Sequence, residues 1–285
     1  MTEVATSDQL LVVIDPVARH SDGESVRIAK DVLSAGASTK VCLPEGPEEF
    51  ARALARRGSR RPVVVGDDRA LLRAVAHLHR QRELTACALS FVPVGRTLAL
   101  ARSLGVPTGA VAAARTVLDG AEQWLDLLVD DSDGVVLGDL RIPWARGTAE
   151  LAAEGAVPGA ALAHPWLRTC QSLVRTLATR PSRLASAPPG PGPSRLRIEI
   201  DGVTLVDLDQ PVAGVSVTPG ASGGAWVEVR PVSVGAEVAP LRAAGRRVTV
   251  SGADFRYRAD AAVSGPVRTR TWTLRERAWG LVLPG

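Results

Sequence analysis

Aromatic residues are scarce in this chain and make up 4% of its 285 residues. The chain therefore has few aromatic rings on which the bases of single-stranded nucleic acid could stack, and we expect no nucleic-acid partner. A core with so few rings must be built from Val, Leu, Ile and Ala, which suit buried strands and the helices that cover them. The other proportions, 46% hydrophobic and 22% charged residues, exclude a disordered or collagen-like chain.

Cysteine is scarce as well, and long apolar runs are missing. Cys42, Cys87 and Cys170 lie far apart and form no C-x-x-C pair, which excludes a disulfide framework and a thiolate zinc site. No apolar run reaches the roughly 18 residues that span a bilayer, and residues 1–4 carry an acid where a signal peptide has bases. We therefore expect a cytoplasmic protein, at most peripheral to the inner membrane face. A homo-oligomer is compatible with the sequence.

Strand and helix patterns alternate through the first half of the chain. Short β-branched apolar runs predict central strands, and amphipathic patterns between them predict helices. The predicted strands are residues 10–14, 39–43, 62–65 and 86–93, and the predicted helices are residues 25–35, 48–57 and 70–84. Such βαβ repeats indicate a mostly parallel sheet in a three-layer α/β domain.

Three loops follow the predicted strands, at residues 15–19, 66–69 and 93–97. Ligands of parallel sheets bind beyond the carboxyl ends of the strands. We therefore expect these loops to meet where a nucleotide would bind.

The pattern changes after residue 137. Residues 149–177 have a helical pattern with interruptions, and residues 182–193 form a Pro/Gly connector. Alternating strands follow, at residues 195–200, 203–208, 212–218, 225–229, 247–250, 255–259, 268–274 and 278–283. The sequence therefore predicts an α/β domain over residues 1–138 and an antiparallel β-sandwich domain over residues 139–285, with a helical insertion.

Four short blocks resemble motifs of the diacylglycerol kinase catalytic family, which includes bacterial lipid kinases and sphingosine kinases. Residues 93–107 (P-V-G-R-T-L-A-L-A-R-S-L-G-V-P) are similar to the family's P-L-G-T-x-N-D-F-A-R-S-L-G-I-P. Residues 65–69 (V-G-D-D-R) stand in the place of G-G-D-G-T, and residues 15–19 (D-P-V-A-R) in that of N-P-x-S-G. Residues 257–266 (Y-R-A-D-A-A-V-S-G-P) stand where the family has a strand followed by D-G-E. The resemblance covers nearly the whole chain.

The resemblance implies the NAD kinase/diacylglycerol kinase-like fold and transfer of the γ-phosphoryl group of ATP to a lipid hydroxyl, with Mg²⁺ as the metal. It implies nucleotide-binding roles for Asp15, Pro16, Gly66, Asp67, Asp68, Arg69, Gly95, Arg96 and Thr97. Asp67 and Asp68 are the metal candidates. Asp260 is the remaining catalytic candidate, because the family's glutamate, a candidate base, falls at Ala262.

Several positions depart from the family pattern. Val65 and Asp68 replace glycines that would let backbone N–H groups approach phosphate, and Arg69 replaces a threonine. Alanine at position 262 cannot accept a proton, and the loss of a positioned base lowers the rate of the catalysed reaction by a factor of about 10²–10⁴. We therefore expect a catalytically impaired relative that binds a nucleotide or lipid, with ATP and magnesium if the site is retained and otherwise no cofactor. The alternatives are an active kinase with an altered site and a structural interaction protein.

Each candidate residue also has a plainer interpretation. The Asp67-Asp68 pair is as typical of a helix N-cap as of a metal site, and Asp15-Pro16 is a common turn. Arg19 and Arg96 suit a phosphate pocket but also a solvated loop. A basic cluster at residues 56–61 suits an anionic lipid or membrane surface, or simply a solvated helix end.

Overall fold

The computed structural model describes residues 9–142, 193–220, 223–232 and 238–285. Internal contacts divide the chain into two units, Met1–Pro143 together with Pro193–Gly285, and Trp144–Gly192. The described helices and strands all belong to the first unit. The predicted helical segment 149–177, and the predicted connector 182–193 except for its last residue, lie outside the described residues.

Parallel strands and helices alternate in the first half of the chain, as predicted. The parallel strands are β1 (Gln9–Ile14), β2 (Ser38–Cys42), β3 (Arg61–Gly66) and β4 (Ala88–Pro93). The helices are α1 (Pro16–Ser21), α2 (Gly23–Gly36), α3 (Pro47–Ala55), α4 (Asp68–Arg80), α5 (Ala99–Ser103) and α6 (Ala110–Asp119), with a 3₁₀ turn at Leu84–Ala86. Among the described helices, none is long and apolar enough to cross a membrane.

Helices cover both faces of the parallel sheet, because side chains alternate along each strand. On β1, Leu10 and Val12 join a core with residues of α2 and α6, whereas Leu11 and Val13 join the core built with α3 and α4. The strands lie side by side in the order β4-β3-β1-β2. This order places the carboxyl ends of β1, β3 and β4 next to one another.

Antiparallel strands make up the rest. They are β5 (Ala121–Asp130), β6 (Val135–Val136), β7 (Leu140–Ile142), β8 (Ser194–Ile200), β9 (Val203–Val206), β10 (Pro211–Thr218), β11 (Ala225–Pro231), β12 (Leu241–Gly245), β13 (Arg247–Ala259) and β14 (Ala262–Leu283). The two strands predicted at 268–274 and 278–283 form one strand, β14, with a bulge between Arg275 and Trp279.

Strand β14 connects the two predicted halves. It pairs with β13 and β5 in antiparallel fashion, and its end pairs in parallel with β4, where Gly280 faces Ala88. All these strands therefore belong to one 14-stranded sheet. The division at residue 138 into an α/β domain and a separate β-sandwich domain stays a prediction.

One strand position is filled by two separate segments. β10 pairs with both β7 and β8: Val215 faces Ile142, and Val212 faces Ser194. β13 likewise pairs with β7 and with β8. β7 and β8 run in the same direction between these neighbours, so they are collinear halves of one strand. β7 ends at residue 142, and β8 begins at residue 194.

Candidate functional site

The three predicted strand-end loops lie together at one edge of the parallel sheet. The N–H of Asp15 donates to the carbonyl of Val65 at 2.9 Å, and the N–H of Val94 donates to the carbonyl of Gly66 at 2.7 Å. The N–H of Asp68 donates to the carbonyl of Thr97 at 3.0 Å. These backbone hydrogen bonds tie the three loops to one another directly.

Two glycines of these loops are required by close packing. A Cβ atom on Gly66 would lie 2.6 Å from the Cβ of Ala70 and 3.0 Å from that of Asp15. Gly95 has a φ of +134°, which side chains rarely adopt, and a Cβ there would lie 3.2 Å from the Cβ of Asp67. The retained glycines of the motifs therefore have a structural role in addition to any contact with phosphate.

Asp15 is buried and already has partners. Its Oδ1 accepts the N–H of Val17 at 2.9 Å, which caps α1, and Pro16 is the first residue of that helix. Its Oδ2 forms an ion pair with Arg73 of α4. The side chain therefore joins two helices behind the loops, and a role beneath a nucleotide stays a prediction.

Asp67 and Asp68 both hold helix N-termini. Asp67 Oδ1 accepts the N–H of Ala70 at 3.1 Å and caps α4. The two oxygens of Asp68 accept the N–H groups of Leu100 at 2.9 Å and Ala101 at 3.1 Å, at the start of α5. Asp68 is 1% exposed, and burial raises its pKa although these N–H groups favour the charged form. The plainer interpretation, helix capping, therefore accounts for the Asp67-Asp68 pair without a metal.

The arginines of the strand-end loops differ in whether they have a hydrogen-bond or ion-pair partner. Arg19 donates to the carbonyl of Pro44 at 3.0 Å and pairs with Glu45 at 3.2 Å. Arg69 and Arg96 are exposed at the same sheet edge, and neither has a hydrogen bond or ion pair with another described residue. Thr97 is also exposed on this loop. Arg69 and Arg96 are therefore the side chains best placed to bind an anion here.

The basic cluster predicted at residues 56–61 does not form a single free surface. Arg57 is 8% exposed and pairs with Glu83 at 2.6 Å. Arg61 donates to the carbonyl of Val117 at 2.8 Å. Binding of anionic lipid by this cluster stays a prediction.

Asp260 is a buried carboxylate at the turn between β13 and β14. Its Oδ1 accepts the N–H groups of Gly138 at 2.8 Å and Asp139 at 2.9 Å, and its Oδ2 accepts that of Leu137 at 2.8 Å. Burial raises its pKa to about 6, against the effect of these three donors. The Asp260 carboxylate therefore fastens the segment 137–139 to the β13–β14 turn.

Ala262, at the position of the family's glutamate, begins β14 and is exposed opposite Ala259. Its methyl group offers no proton acceptor. Of the residues in this turn, Asp260 alone carries a carboxylate, and its oxygens already receive three hydrogen bonds.

A cleft of about 310 Å³ lies between the start of α5 and the β13–β14 turn. Its α/β side is formed by the start of α5 and the loop before it, and its other side by the segment 138–141 and the β13–β14 turn. The lining residues are Asp68, Thr97, Ala99, Leu100, Ser103, Gly138, Asp139, Arg141, Thr218, Arg258, Asp260 and Ala261. Among the residues that the structure describes, no three His, Cys, Asp or Glu side chains are grouped as metal ligands.

Sequence reasoning missed two arginines of this cleft. Arg141 on β7 and Arg258 on β13 stand directly opposite each other in the sheet. Arg258 donates from Nε to the carbonyl of Asp260 at 2.8 Å, and Arg141 pairs with Asp139 at 2.5 Å. Arg258 lies inside the block at residues 257–266, but nothing in that block points to Arg141 as its neighbour, because the pairing joins segments more than a hundred residues apart.

Comparison with known proteins identifies the fold. No family model matches the chain, and no curated protein matches it. Among the solved structures that match is a diacylglycerol kinase from Bacillus anthracis strain Sterne, at 15% identity and a TM-score of 0.69 over 98% of both chains. Two structures of a candidate diacylglycerol kinase from the same strain match at 14% and 13% identity, with TM-scores of 0.68 and 0.70, over 98% of both chains. The resemblance predicted from the motifs is thus confirmed for the fold.

Proposed function

We propose that this chain is a catalytically impaired relative of the diacylglycerol kinases that binds a nucleotide or lipid in the cleft. One observation carries the proposal: the buried carboxylates of the cleft are already satisfied by backbone N–H groups. Asp68 receives two such hydrogen bonds and Asp260 receives three. Carboxylates that hold the fold together in this way are poorly placed to coordinate a metal or to accept a substrate proton.

The residues present fit magnesium poorly. Mg²⁺ binds carboxylate oxygens in near-octahedral geometry and keeps several waters. Both oxygens of Asp68 already accept N–H groups, and of the two Asp67 oxygens one accepts the N–H of Ala70. We therefore assign phosphate binding to the exposed guanidinium groups of Arg69 and Arg96, which suit bidentate contacts with phosphate oxygens.

Neither Ala262 nor Asp260 is a suitable general base for the phosphoryl-transfer step. A lipid hydroxyl that attacks the γ-phosphorus must lose its proton to an acceptor. Ala262 has none, and Asp260 is 5% exposed, with each oxygen engaged by an N–H group. Without a positioned base the rate falls by about 10²–10⁴, before any loss of metal or phosphate contacts is counted.

Binding and turnover are tested separately. We expect ATP to raise the thermal midpoint of the full chain with EDTA as well as with Mg²⁺, because arginines bind the phosphates. Arg69→Ala and Arg96→Ala should each weaken ATP binding about tenfold, the loss of one charge-assisted contact. Arg56→Ala is the matched control, since Arg56 is an exposed arginine at the end of α3, away from the cleft.

Turnover is measured with γ-labelled ATP and diacylglycerol in mixed micelles. We expect no transfer above the rate without protein, and a gain in Ala262→Glu that Ala262→Gln does not show. Brisk transfer by the natural chain, abolished in Asp67→Ala, would replace the proposal by an active lipid kinase. If ATP and diacylglycerol both leave the thermal midpoint unchanged, the chain is a structural interaction protein instead.

A further inference from the structure

A hollow of about 700 Å³ lies at the far end of α4 from the cleft. It is lined by the C-terminal end of α4, the 3₁₀ turn that follows, the β5–β6 turn and the bulge of β14. Four of its lining side chains are arginines: Arg80, Arg82, Arg275 and Arg277. Since α4 rises about 1.5 Å per residue over its 13 residues, the hollow is about 18 Å from the loops of the cleft. It is a separate place on the molecule.

The acids of the hollow already have partners, whereas its arginines do not. Oδ1 of Asp133 lies 2.9 Å from Nε2 of His79, and Glu276 forms an ion pair with Arg246, the residue between β12 and β13. Within the described part of the chain, no hydrogen bond or ion pair is made by the side chains of Arg80, Arg82, Arg275 or Arg277. Four arginines from two distant segments of the chain therefore line one hollow, and none of their side chains is paired with a described residue.

Two of these arginines occupy backbone positions that favour glycine. Arg82 has a φ of 59° and follows Gln81, the C-cap of α4. Its N–H donates to the carbonyl of His79, and the N–H of Glu83 donates to that of Leu78. This is the Schellman ending of a helix, whose left-handed residue is usually glycine. Arginine gains no local hydrogen bond that would offset the left-handed conformation.

Arg277, in the bulge of β14, also has a left-handed backbone conformation. Its φ is 47°, and its N–H donates to Oδ1 of Asp126 at 2.7 Å. The left-handed residue of such a bulge is commonly glycine as well. Both non-glycine residues therefore carry a conformational cost, and both line the same hollow. Backbone strain of this kind is typical of ligand sites.

We propose that this hollow binds a ligand that carries two or more phosphate groups. Each guanidinium group can make paired hydrogen bonds to the oxygens of one phosphate, and four of them match a ligand with several such groups. The chemistry required is that of a polyphosphate, whether free in solution or part of a phosphorylated lipid headgroup. This site is independent of the function proposed for the cleft.

The experiment titrates the full chain with inorganic tripolyphosphate in a calorimeter. Arg82→Gly and Arg277→Gly should each weaken binding at least tenfold, and neither should lower the thermal midpoint, because glycine relieves the left-handed strain. Arg115→Gln removes an exposed arginine from α6 and is the control, which should bind tripolyphosphate as the natural chain does. The glycine variants are also compared in an Arg69→Ala background, so that phosphate bound at the strand-end loops does not contribute to the signal.

A second arm separates the two sources of phosphate. The chain is sedimented with phosphatidylcholine vesicles that contain phosphatidylinositol bisphosphate, and with phosphatidylcholine vesicles alone. Binding to tripolyphosphate, or only to the vesicles that contain the bisphosphate lipid, supports the site if both glycine variants weaken that binding at least tenfold. Binding that both glycine variants retain, a lower midpoint in both variants, or no binding to either probe would overturn the proposal.

Discussion

Replacement of Asp260 by Asn tests how the cleft is held together. Asn has nearly the same shape as Asp and tolerates the left-handed φ of 49° at this position. The change removes a titrating carboxyl group and replaces one acceptor oxygen by an NH2 group, and the cost of that lost acceptor does not vary with pH. Burial raises the pKa of Asp260 to about 6, from an ordinary value of 3.8. The folded chain therefore binds this proton more tightly than the unfolded chain does.

The sign of the effect follows from that difference. An acid whose pKa is raised by folding contributes stability that is complete below pH 3.8 and is lost as the pH rises through 6. At about 1.36 kcal/mol per pKa unit, the full contribution is about 3 kcal/mol, and roughly 2 kcal/mol of it is lost between pH 4 and pH 7. Asn contributes no such dependence.

Urea unfolding of both proteins from pH 4 to pH 7 measures the effect. The free energy of unfolding of the natural chain, minus that of Asp260→Asn, should fall by about 2 kcal/mol as the pH rises over this range. The other acids contribute equally to both proteins and cancel in the difference. Asp139→Asn, which removes a neighbouring, partly exposed carboxylate, should keep most of the natural pH dependence. A difference that stays constant with pH, or that rises, would refute the reasoning.

Three further substitutions test the elements that position the cleft, each by urea unfolding at pH 7. Asp68→Ala should cost about 3 kcal/mol, because it leaves two buried N–H groups of α5 without an acceptor, whereas Asp67→Ala removes a single cap and should cost about 1 kcal/mol. Gly66→Ala should cost about 1–3 kcal/mol, because the new Cβ would lie 2.6 Å from that of Ala70, and a neutral effect would contradict the close approach. Trp279→Ala should cost about 3–5 kcal/mol because the side chain is fully buried, and a loss below 1 kcal/mol would contradict its place in the core.

Local patterns predicted the parallel half of the fold well. The apolar runs at β1, β3 and β4 are fully buried strands, and the amphipathic stretches between them are helices. Helix α6 and strand β5 were missed, although the Ala-rich run at 110–119 and the mostly apolar run at 124–129 are visible in the sequence. The bulge of β14 also misled prediction, because charged residues at 275–277 look like a turn.

The geometry of the cleft was less accessible to sequence reasoning. The motifs located the three strand-end loops, and helix capping by Asp67 was foreseen as one alternative. The partners of Asp68 and Asp260 were not foreseen, because each carboxylate binds N–H groups that are more than thirty and more than a hundred residues away in the chain. Contacts of such separation depend on the packed fold and leave no local signal.

The interrupted strand made by β7 and β8 has a consequence for how chains of this fold can vary. Val212 and Val215 of β10 face the two ends of the break, so a bridge of about two residues between Ile142 and Ser194 would span it. A chain shortened in this way should keep the cooperative unfolding of the sheet, as measured in urea. We therefore expect the position between β7 and β8 to accept segments of different length without a change in strand register, while Arg141 keeps its place in the lining of the cleft.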